Sequence, residues 1–401
     1  MNQPTTRACI HFSPNPEDMK SIAEDVSELP AIQRMLLDKH KELHLPDRVA
    51  HQYQIMGGKV VFKAANKLPP ELEGIGLFEP SAEHVGIGRI STGQGTPHLE
   101  TNPDFLGIMC AFQTRDDQRV DFLGINDPRS PADNHQDFMD VLQAAGESAD
   151  AGPPIVADWG AYDIFKFLDE QFQFSAALRK RMGWIKAGKT IIHLAKQTFR
   201  TFHSSTAYQV YWTGIVKVRD TAGKFTFVPI RDENRRPGFR PGERHLTEEW
   251  KRRQREGDIK FQLFWIPFLS EDKTPSCELT EPWHEEYKKL VGTVTFPKID
   301  LDSEEASLWA ILALEMGANP GNWVHDEGNT IKEPATEFGL ARKLAYQKSQ
   351  EGRNVLEPTW YKSVFKTGQI SPELAQELAR RRQQKEELGH ISYAVFADGT
   401  L

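Results

Sequence analysis

Apolar residues recur along this chain with two different periods, and the change between them divides it. Short apolar or alternating runs stand between turn signals at Gly58-Lys-Val-Val-Phe-Lys63, Val85 to Ile90, Gly107-Ile-Met-Cys-Ala-Phe112 and Val120-Asp-Phe-Leu-Gly124. Runs of that length, bounded by Gly, Pro, Asp and Asn, predict strands. The same signal returns at Ala207-Tyr-Gln-Val-Tyr-Trp212, Ile215 to Val218, Phe225-Thr-Phe-Val228, Ile259 to Ile266 and Leu290 to Phe296. Between the two groups the period becomes helical. Residues 135–145 carry Phe138, Val141 and Leu142 on one face, and Asp158 to about Thr201 has an apolar stripe of Phe165, Phe167, Leu168 and Phe172. Arg235 to Glu256 reads as a polar connection with one amphipathic helix, and helices follow Pro297 at Glu304–Glu315, 336–351 and 372–388. A short helix, Leu29 to Glu42, precedes the first strand.

Roughly eight short strands in two groups around a helical insertion predict an α+β fold, an antiparallel β-barrel with helices attached. Such a barrel removes its own sheet edges and can hold a large apolar cofactor at its mouth. The pattern divides the chain into an N-terminal arm and helix (1–45), a barrel core (46–300) with the insertion at about 158–201, and a C-terminal helical region (301–401). At 401 residues, one large domain or two would accommodate it.

Composition narrows the class. Hydrophobic residues make up 39% and charged residues 26%, an ordinary soluble balance. The net charge is −8, and no basic run is interleaved with aromatics, which argues against nucleic acid as a partner. Arg380-Arg-Arg382 is followed by Lys385, Glu386 and Glu387 and reads as a solvated helix face. No apolar run approaches the roughly 18 residues that span a bilayer. The start, Met-Asn-Gln-Pro-Thr-Thr-Arg, leads into no apolar signal stretch, so a cytoplasmic location is expected. Cys9, Cys110 and Cys277 are far apart and form no CxxC pair, so neither a disulfide framework nor a thiolate metal site is expected.

The candidate chemistry begins at Ala341-Arg-Lys-Leu-Ala-Tyr-Gln-Lys-Ser-Gln-Glu-Gly-Arg353. At about 100° per residue, Arg342, Tyr346 and Arg353 fall within about 40° of one another on one helix face. Guanidinium groups one turn before and two turns after a Tyr favour its phenolate, a hard anionic ligand for ferric iron. Taken alone, the segment also reads as a core Tyr on an amphipathic helix with two surface arginines.

Three further segments add to it. Asp47-Arg-Val-Ala-His51 places Arg48 three residues before His51, Gly86-Ile-Gly-Arg-Ile-Ser-Thr92 sets Arg89 and Ser91 at alternate positions of a strand, and Asp121-Phe-Leu-Gly-Ile-Asn-Asp-Pro128 puts Asn126 before a turn. In this order and spacing the segments resemble the haem catalase superfamily, over roughly residues 45–355. The chain lacks the flavodoxin-like extension of the largest catalases and resembles the catalase-like peroxidases that keep only the haem core.

The resemblance implies an eight-stranded antiparallel barrel with a late helix carrying the proximal ligand, and haem b as cofactor. It implies that Arg48, Arg89 and Arg353 hold the propionates, where a guanidinium fork suits a carboxylate. It makes Tyr346 the iron ligand, as Tyr ligation is in catalase, with Arg342 keeping it ionised. On the opposite side His51 would move a proton during heterolytic cleavage of a peroxide, Asn126 would orient that peroxide, and Ser91 would hold the His51 ring. An organic electron donor is a further expected partner, and homo-oligomers are common in the superfamily. His51 alone could be a satisfied core His, and Ser91 and Asn126 could be turn residues.

Several departures from the family pattern bear on activity. Asp127-Pro-Arg-Ser-Pro-Ala-Asp133 replaces a Thr-Pro and aromatic stretch, Leu106 stands where Arg is usual, Arg231 where a supporting His is usual, and Glu337 shifts an acidic partner by one. Gly352 threatens to end the helix before Arg353. These favour a peroxidase or slow catalase over rapid dismutation. Ala50 before His51 leaves the fatty-acid hydroperoxide isomerases of the allene oxide synthase type as an alternative, with a non-catalytic haem-binding protein as another. A rival from a different class is Gly183-Trp-Ile-Lys-Ala-Gly-Lys-Thr190, which satisfies the GxxxxGK[ST] phosphate loop of P-loop nucleotidases. That motif needs a buried strand before it and a helix N-terminus after it, and charged Leu178-Arg-Lys-Arg-Met182 is a poor strand.

Overall fold

The two groups of strands meet in one closed sheet. The computed structural model describes residues 9–12, 14–39, 48, 50–51, 53–93, 100, 104–148, 164–198, 205–231, 245–322 and 335–387. Its strands are β1 (Gln54–Ala64), β2 (Glu83–Thr92), β3 (Leu106–Gln113), β4 (Arg119–Ile125), β5 (Tyr211–Thr213), β6 (Val216–Val218), β7 (Thr221–Pro229), β8 (Ile259–Pro267) and β9 (Lys289–Phe296). They pair antiparallel in the order β5-β4-β3-β2-β1-β9-β8-β7-β6, and β5 also pairs with β7. Eight strands therefore form a barrel, with β6 as a short hairpin strand added beside β7. The first and second groups join where Val61 of β1 stands opposite Thr295 of β9.

Alternation along each strand separates two environments. Cys110 and Phe112 of β3, Val120 and Phe122 of β4, and Phe225 and Phe227 of β7 share the barrel's internal core. Its rings meet edge to face, as Phe122 does with Phe225 at 5.1 Å and 83°. Each such pair contributes roughly 0.5–1.5 kcal/mol beyond its buried area. An eight-stranded barrel is just wide enough for side chains to fill. The opposite parity, Ile87, Met109, Ala111 and Leu123, turns outward and packs against helices.

Those helices are α1 (Pro16–Val26), α2 (Leu29–Lys39), α3 (His135–Ser148), α4 (Ile164–Thr198), α5 (His245–Glu256), α6 (Glu304–Glu315), α7 (Glu337–Glu351), α8 (Pro358–Thr367) and α9 (Pro372–Glu387). Helix α6 is buried nearly all round, with Trp309, Ile311 and Leu312 in the outer core. It lies so close to β1 that a Cβ at Gly57 would approach Ala313 Cβ to 2.8 Å. The N-terminus of α7 is capped by Thr336, whose Oγ1 accepts from Gly339 N at 3.1 Å.

The structure corrects several expectations. Helix α1 lies in what reads as an irregular arm, set by an Asn15 capping box and Pro16 at the first helical position. Helix α8 also opens on a Pro, a residue that reads as a breaker but fits N1. The strand expected from Ala207 shortens to Tyr211–Thr213, because Thr206–Tyr208 forms a 3-10 turn closed by Tyr211 OH donating to Thr206 O at 2.9 Å. The phosphate-loop motif lies within α4, kinked at Gly183 (φ 75°) and helical on both sides. No strand feeds it, so its backbone N–H groups are not gathered into a nest, and the nucleotidase alternative is set aside. Cys9 and Cys277 form a disulfide with Cα atoms 5.1 Å apart across 268 residues, overturning the expectation of no disulfide. Distance along the chain carried no information about distance in space. Cys110 remains a free thiol inside the barrel, and burial pushes its pKa well up. Among the described residues no helix is long and apolar enough to cross a membrane.

Candidate active site

Strand β2 presents Arg89 and Ser91 on its outer face, two residues apart, opposite Met109 and Gly107 of β3. The missing side chain at Gly107 leaves room for the His51 ring. A Cβ there would lie 2.5 Å from His51 Cε1 and 3.1 Å from Ser91 Oγ. His51 has φ +58°, an unusual value for a residue with a Cβ. It is held there at both peptide groups: its N–H donates to Gly93 O at 3.0 Å, and its carbonyl accepts from Arg89 Nη2 at 2.6 Å.

The ring is fixed as firmly. Nδ1 lies 2.9 Å from Thr92 O and 3.1 Å from Ser91 Oγ. A carbonyl only accepts, so Nδ1 carries the proton and Nε2 keeps a lone pair. Burial, followed by the Arg89 guanidinium, lowers the His51 pKa to about 4, so the imidazole is neutral at pH 7.

Arg89 itself is buried, and its Nε donates to Gln54 Oε1 at 3.0 Å. Gln54 in turn donates to Ala310 O of α6, tying the arginine to the helix outside the barrel. Arg48 donates to Leu314 O at 2.6 Å, and Arg353 Nε to Ser349 O at 3.1 Å. Burial, then the charges of Arg48 and Arg353, push the Arg89 pKa down, and Tyr346 opposes them. Three guanidinium groups and a phenol thus share one neighbourhood.

Helix α7 supplies Arg342, Tyr346 and Ser349 to one cavity, and Arg353 follows on the same side. Gly352 is right-handed (φ −81°), so the last turn continues and Arg353 N donates to Gln350 O at 3.2 Å. Arg342 packs at Gly214, where a Cβ would meet Nη1 at 2.9 Å. Glu337 engages His135 of α3.

The cavity measures about 260 Å³ and lies against the outer face of β3 and β4. Its walls include Met109, Leu123 and Ile125 from the barrel and Phe138 and Leu142 from α3. Seven of the eight site residues expected from sequence line it: Arg48, His51, Arg89, Ser91, Arg342, Tyr346 and Arg353. Asn126 does not. Leu123 and Ile125 share the outward parity of β4, and Asn126 follows on the other parity. Its Oδ1 accepts from Leu106 N at 2.7 Å, and its buried Nδ2 has no hydrogen-bond partner among the described residues. Counting alternate positions onward from Leu123 is the signal that brings Ile125 to the wall.

Sequence reasoning also missed Lys224, which lines the cavity at 4% exposure, and Asp127, whose carboxylate accepts from Arg129 Nε and Nη2 at 2.9 Å each. Arg231, at the position of the usual supporting His, is exposed.

The fold is catalase-like. The chain is similar to a bacterial catalase structure (17% identity, TM-score 0.56, covering 77% of this chain and 58% of that one). It is similar to a fungal catalase (14%, 0.56, 77% and 60%) and to catalase A from Saccharomyces cerevisiae (13%, 0.56, 79% and 62%). It therefore spans about three-fifths of the length of these structures. No protein-family model matches the sequence, and no curated protein does.

Proposed function

We propose that the cavity binds haem b and that the protein cleaves peroxides there, as a catalase-like peroxidase. The observation that carries this reading is a neutral His51, its Nδ1 committed to Thr92 O, lining the same cavity as Tyr346. The donor set suits the cofactor. Burial, and after it the charges of Arg48 and Arg353, lower the Arg89 pKa, and carboxylates placed among the three would relieve that repulsion. The apolar walls suit a flat apolar ring.

On this reading Arg48, Arg89 and Arg353 take the propionates, Tyr346 offers its oxygen to the iron, and Arg342 stands one turn before it on α7. A bound haem supplies the two electrons that break the O–O bond, and an organic donor returns them. His51 Nε2 accepts the proton of the bound peroxide and passes it to the departing oxygen, which leaves as water or an alcohol. Ser91 and Thr92 hold the ring for that transfer. Asn126 orients the peroxide through Nδ2, a buried donor left without an acceptor among the described residues, while Leu106 N fixes its Oδ1. Ile125 then presents an alkyl group to the cavity, which supports a peroxidase or slow catalase over rapid dismutation.

The absorbance spectrum of the purified, haem-supplied protein tests this, recorded before and after peroxide addition. A Soret band is expected, abolished or strongly shifted in Tyr346→Phe. His51→Ala is expected to keep the band and lose at least about 100-fold in peroxide cleavage, the scale of a positioned acid–base group. Absence of a Soret band overturns the haem reading. Vigorous oxygen evolution without donor oxidation overturns the preference for peroxidase.

A further inference from the structure

The Gly183–Thr190 segment that matches a phosphate loop starts at the kink of α4, and beyond that kink the helix turns an apolar and basic face outward. Trp184, Ile185 and Ile192 are 75%, 81% and 58% exposed. At about 100° per residue, Ile185, Lys189, Ile192 and Lys196 fall within about 60° of one another, so isoleucine and lysine alternate along one stripe. The opposite face is packed. Ala187 shares a small core with Leu178 and with Ala144 of α3, and Ile191 lies against it. Arg181 and Lys186 pair with Glu147 and Asp137 of α3. Lys189 and Lys196 have no carboxylate partner among the described residues. Single exposed apolar residues are ordinary, but a Trp beside an Ile, with a second Ile two turns on, makes a patch.

Charge says what would cover this face. From Gln171 to Thr198 the chain has Arg179, Lys180, Arg181, Lys186, Lys189 and Lys196 and no Asp or Glu, in a protein whose net charge is −8. A second copy would set the same lysines against one another, because a two-fold contact uses one patch twice. A lipid surface with anionic headgroups takes the lysines at the headgroups and the isoleucines at the acyl boundary, and a Trp suits the level between them. The Arg179 guanidinium lies 4.5 Å from the centroid of the Trp184 ring, which puts a further cation beside that ring. We propose that this face of α4 docks the protein on an anionic membrane surface, with the helix lying in the plane of the headgroups. The same turns of helix reach the cavity on their other side. Leu194 lines it, His193 Nε2 donates to Ser130 O at 2.7 Å, and Gln197 Nε2 donates to Arg129 O at 3.0 Å. Arg129 and Ser130 are themselves wall residues. Docking therefore brings one wall of the cavity to the membrane surface, and it does so whether or not the cavity holds haem.

The test uses the full-length protein, sedimented with vesicles of phosphatidylcholine alone or with about one-third phosphatidylglycerol, at low and high salt. Wild type is expected to bind the anionic vesicles only, and less as salt rises. Lys189→Gln combined with Lys196→Gln is expected to weaken partitioning about 30-fold, from ~1 kcal/mol for each charge removed. Ile185→Ser combined with Ile192→Ser is expected to weaken it about 10-fold or more, by taking alkyl groups from the acyl boundary. Both pairs replace exposed side chains, so thermal transitions matching wild type exclude misfolding as the cause. Trp184→Phe is expected to bind still, but to lose most of the blue shift in Trp fluorescence that anionic vesicles produce in wild type. Failure of wild type to sediment with anionic vesicles, equal sedimentation with and without phosphatidylglycerol, or undiminished binding in either double variant overturns the proposal. Dimers that form without vesicle binding and vanish in the serine variant would also overturn it, and would assign the face to a second copy. The Soret band is expected to be the same in all these variants. Loss of the band with vesicle binding intact would refute the haem reading alone; an intact band without vesicle binding would refute only the docking proposal.

Discussion

A Cβ on Gly107 would press into the His51 ring, 2.5 Å from Cε1 and 2.6 Å from Nδ1, and the ring has little freedom to retreat. Thr92 O holds its Nδ1, while Gly93 O and the Arg89 guanidinium hold its backbone in a left-handed conformation. Gly107→Ala is therefore expected to cost about 1–3 kcal/mol, the usual penalty of overpacking, and to displace the imidazole. Urea denaturation measures the first effect. On the proposed haem reading, the second should appear as a fall in peroxide cleavage with the haem band retained; unchanged stability and turnover would contradict the seating described for His51. At this scale the sequence was readable where one rule decides the outcome. Alternation along β2 puts Arg89 and Ser91 on one face, and helical spacing does the same for Arg342 and Tyr346. It left Asn126 open: strand parity brings Ile125 to the cavity wall, while Asn126 holds Leu106 N through Oδ1 and keeps a buried Nδ2. Lys224 was unreadable, because a lysine on a short strand looks solvent-facing until Pro128 and Trp283, remote along the chain, close over it.

Three helices meet at His135, whose Nδ1 pairs with Glu337 of α7 and whose Nε2 lies 2.9 Å from Asp25 Oδ2 of α1. The Glu337 hydrogen bond, followed by the charges of Glu337 and Asp25, outweighs burial and raises the His135 pKa above 6.5, while His135 lowers that of Glu337 below 4.5. The signs follow by linkage. The His135 contribution is complete below about pH 6.5 and fades as pH rises through its raised folded value. The Glu337 contribution is complete above about pH 4.5 and fades as pH falls through its lowered one. Wild type is thus expected to lose roughly 0.5–1 kcal/mol between pH 6 and 8.5 relative to His135→Asn, within the range of partly exposed ion pairs. Denaturation curves across that range check it, and parallel pH profiles for the two proteins would remove the linkage. The elements themselves were largely legible: α3, α5, α6, α7 and α9 follow their apolar periods. Those missed, α1 and α8, begin at Pro, where the breaker signal and the N1 preference use the same residue. The charge clamp was hidden, since Asp25, His135 and Glu337 lie in three separate segments.

The barrel as a whole was legible because its closure needs only alternating strands in two groups, and the order of pairing follows from joining neighbours within each group, β5 to β7 and β1 to β9. The tie between the N-terminal segment and the β8–β9 connection was not, since any pair among three cysteines looks alike in sequence. Cys9 precedes α1, and Cys277 follows β8, so the disulfide anchors the N-terminal segment to the loop before β9. A link across 268 residues removes many conformations from the unfolded chain, an effect that grows slowly with loop length. Cys9→Ser and Cys277→Ser are each expected to destabilise the protein by about 2–4 kcal/mol, and the double variant by no more than either alone. Additive losses would mean that the two thiols act separately, and a non-reducing peptide map with both thiols free would remove the link. Disulfides of this kind are rare in reducing compartments, so the bond gives the expected cytoplasmic location no support. Reductant should lower the stability of wild type to that of the double variant and leave the variant unchanged. Because neither cysteine is among the cavity residues, the haem spectrum expected on the proposed function should persist under reductant at temperatures below the new transition.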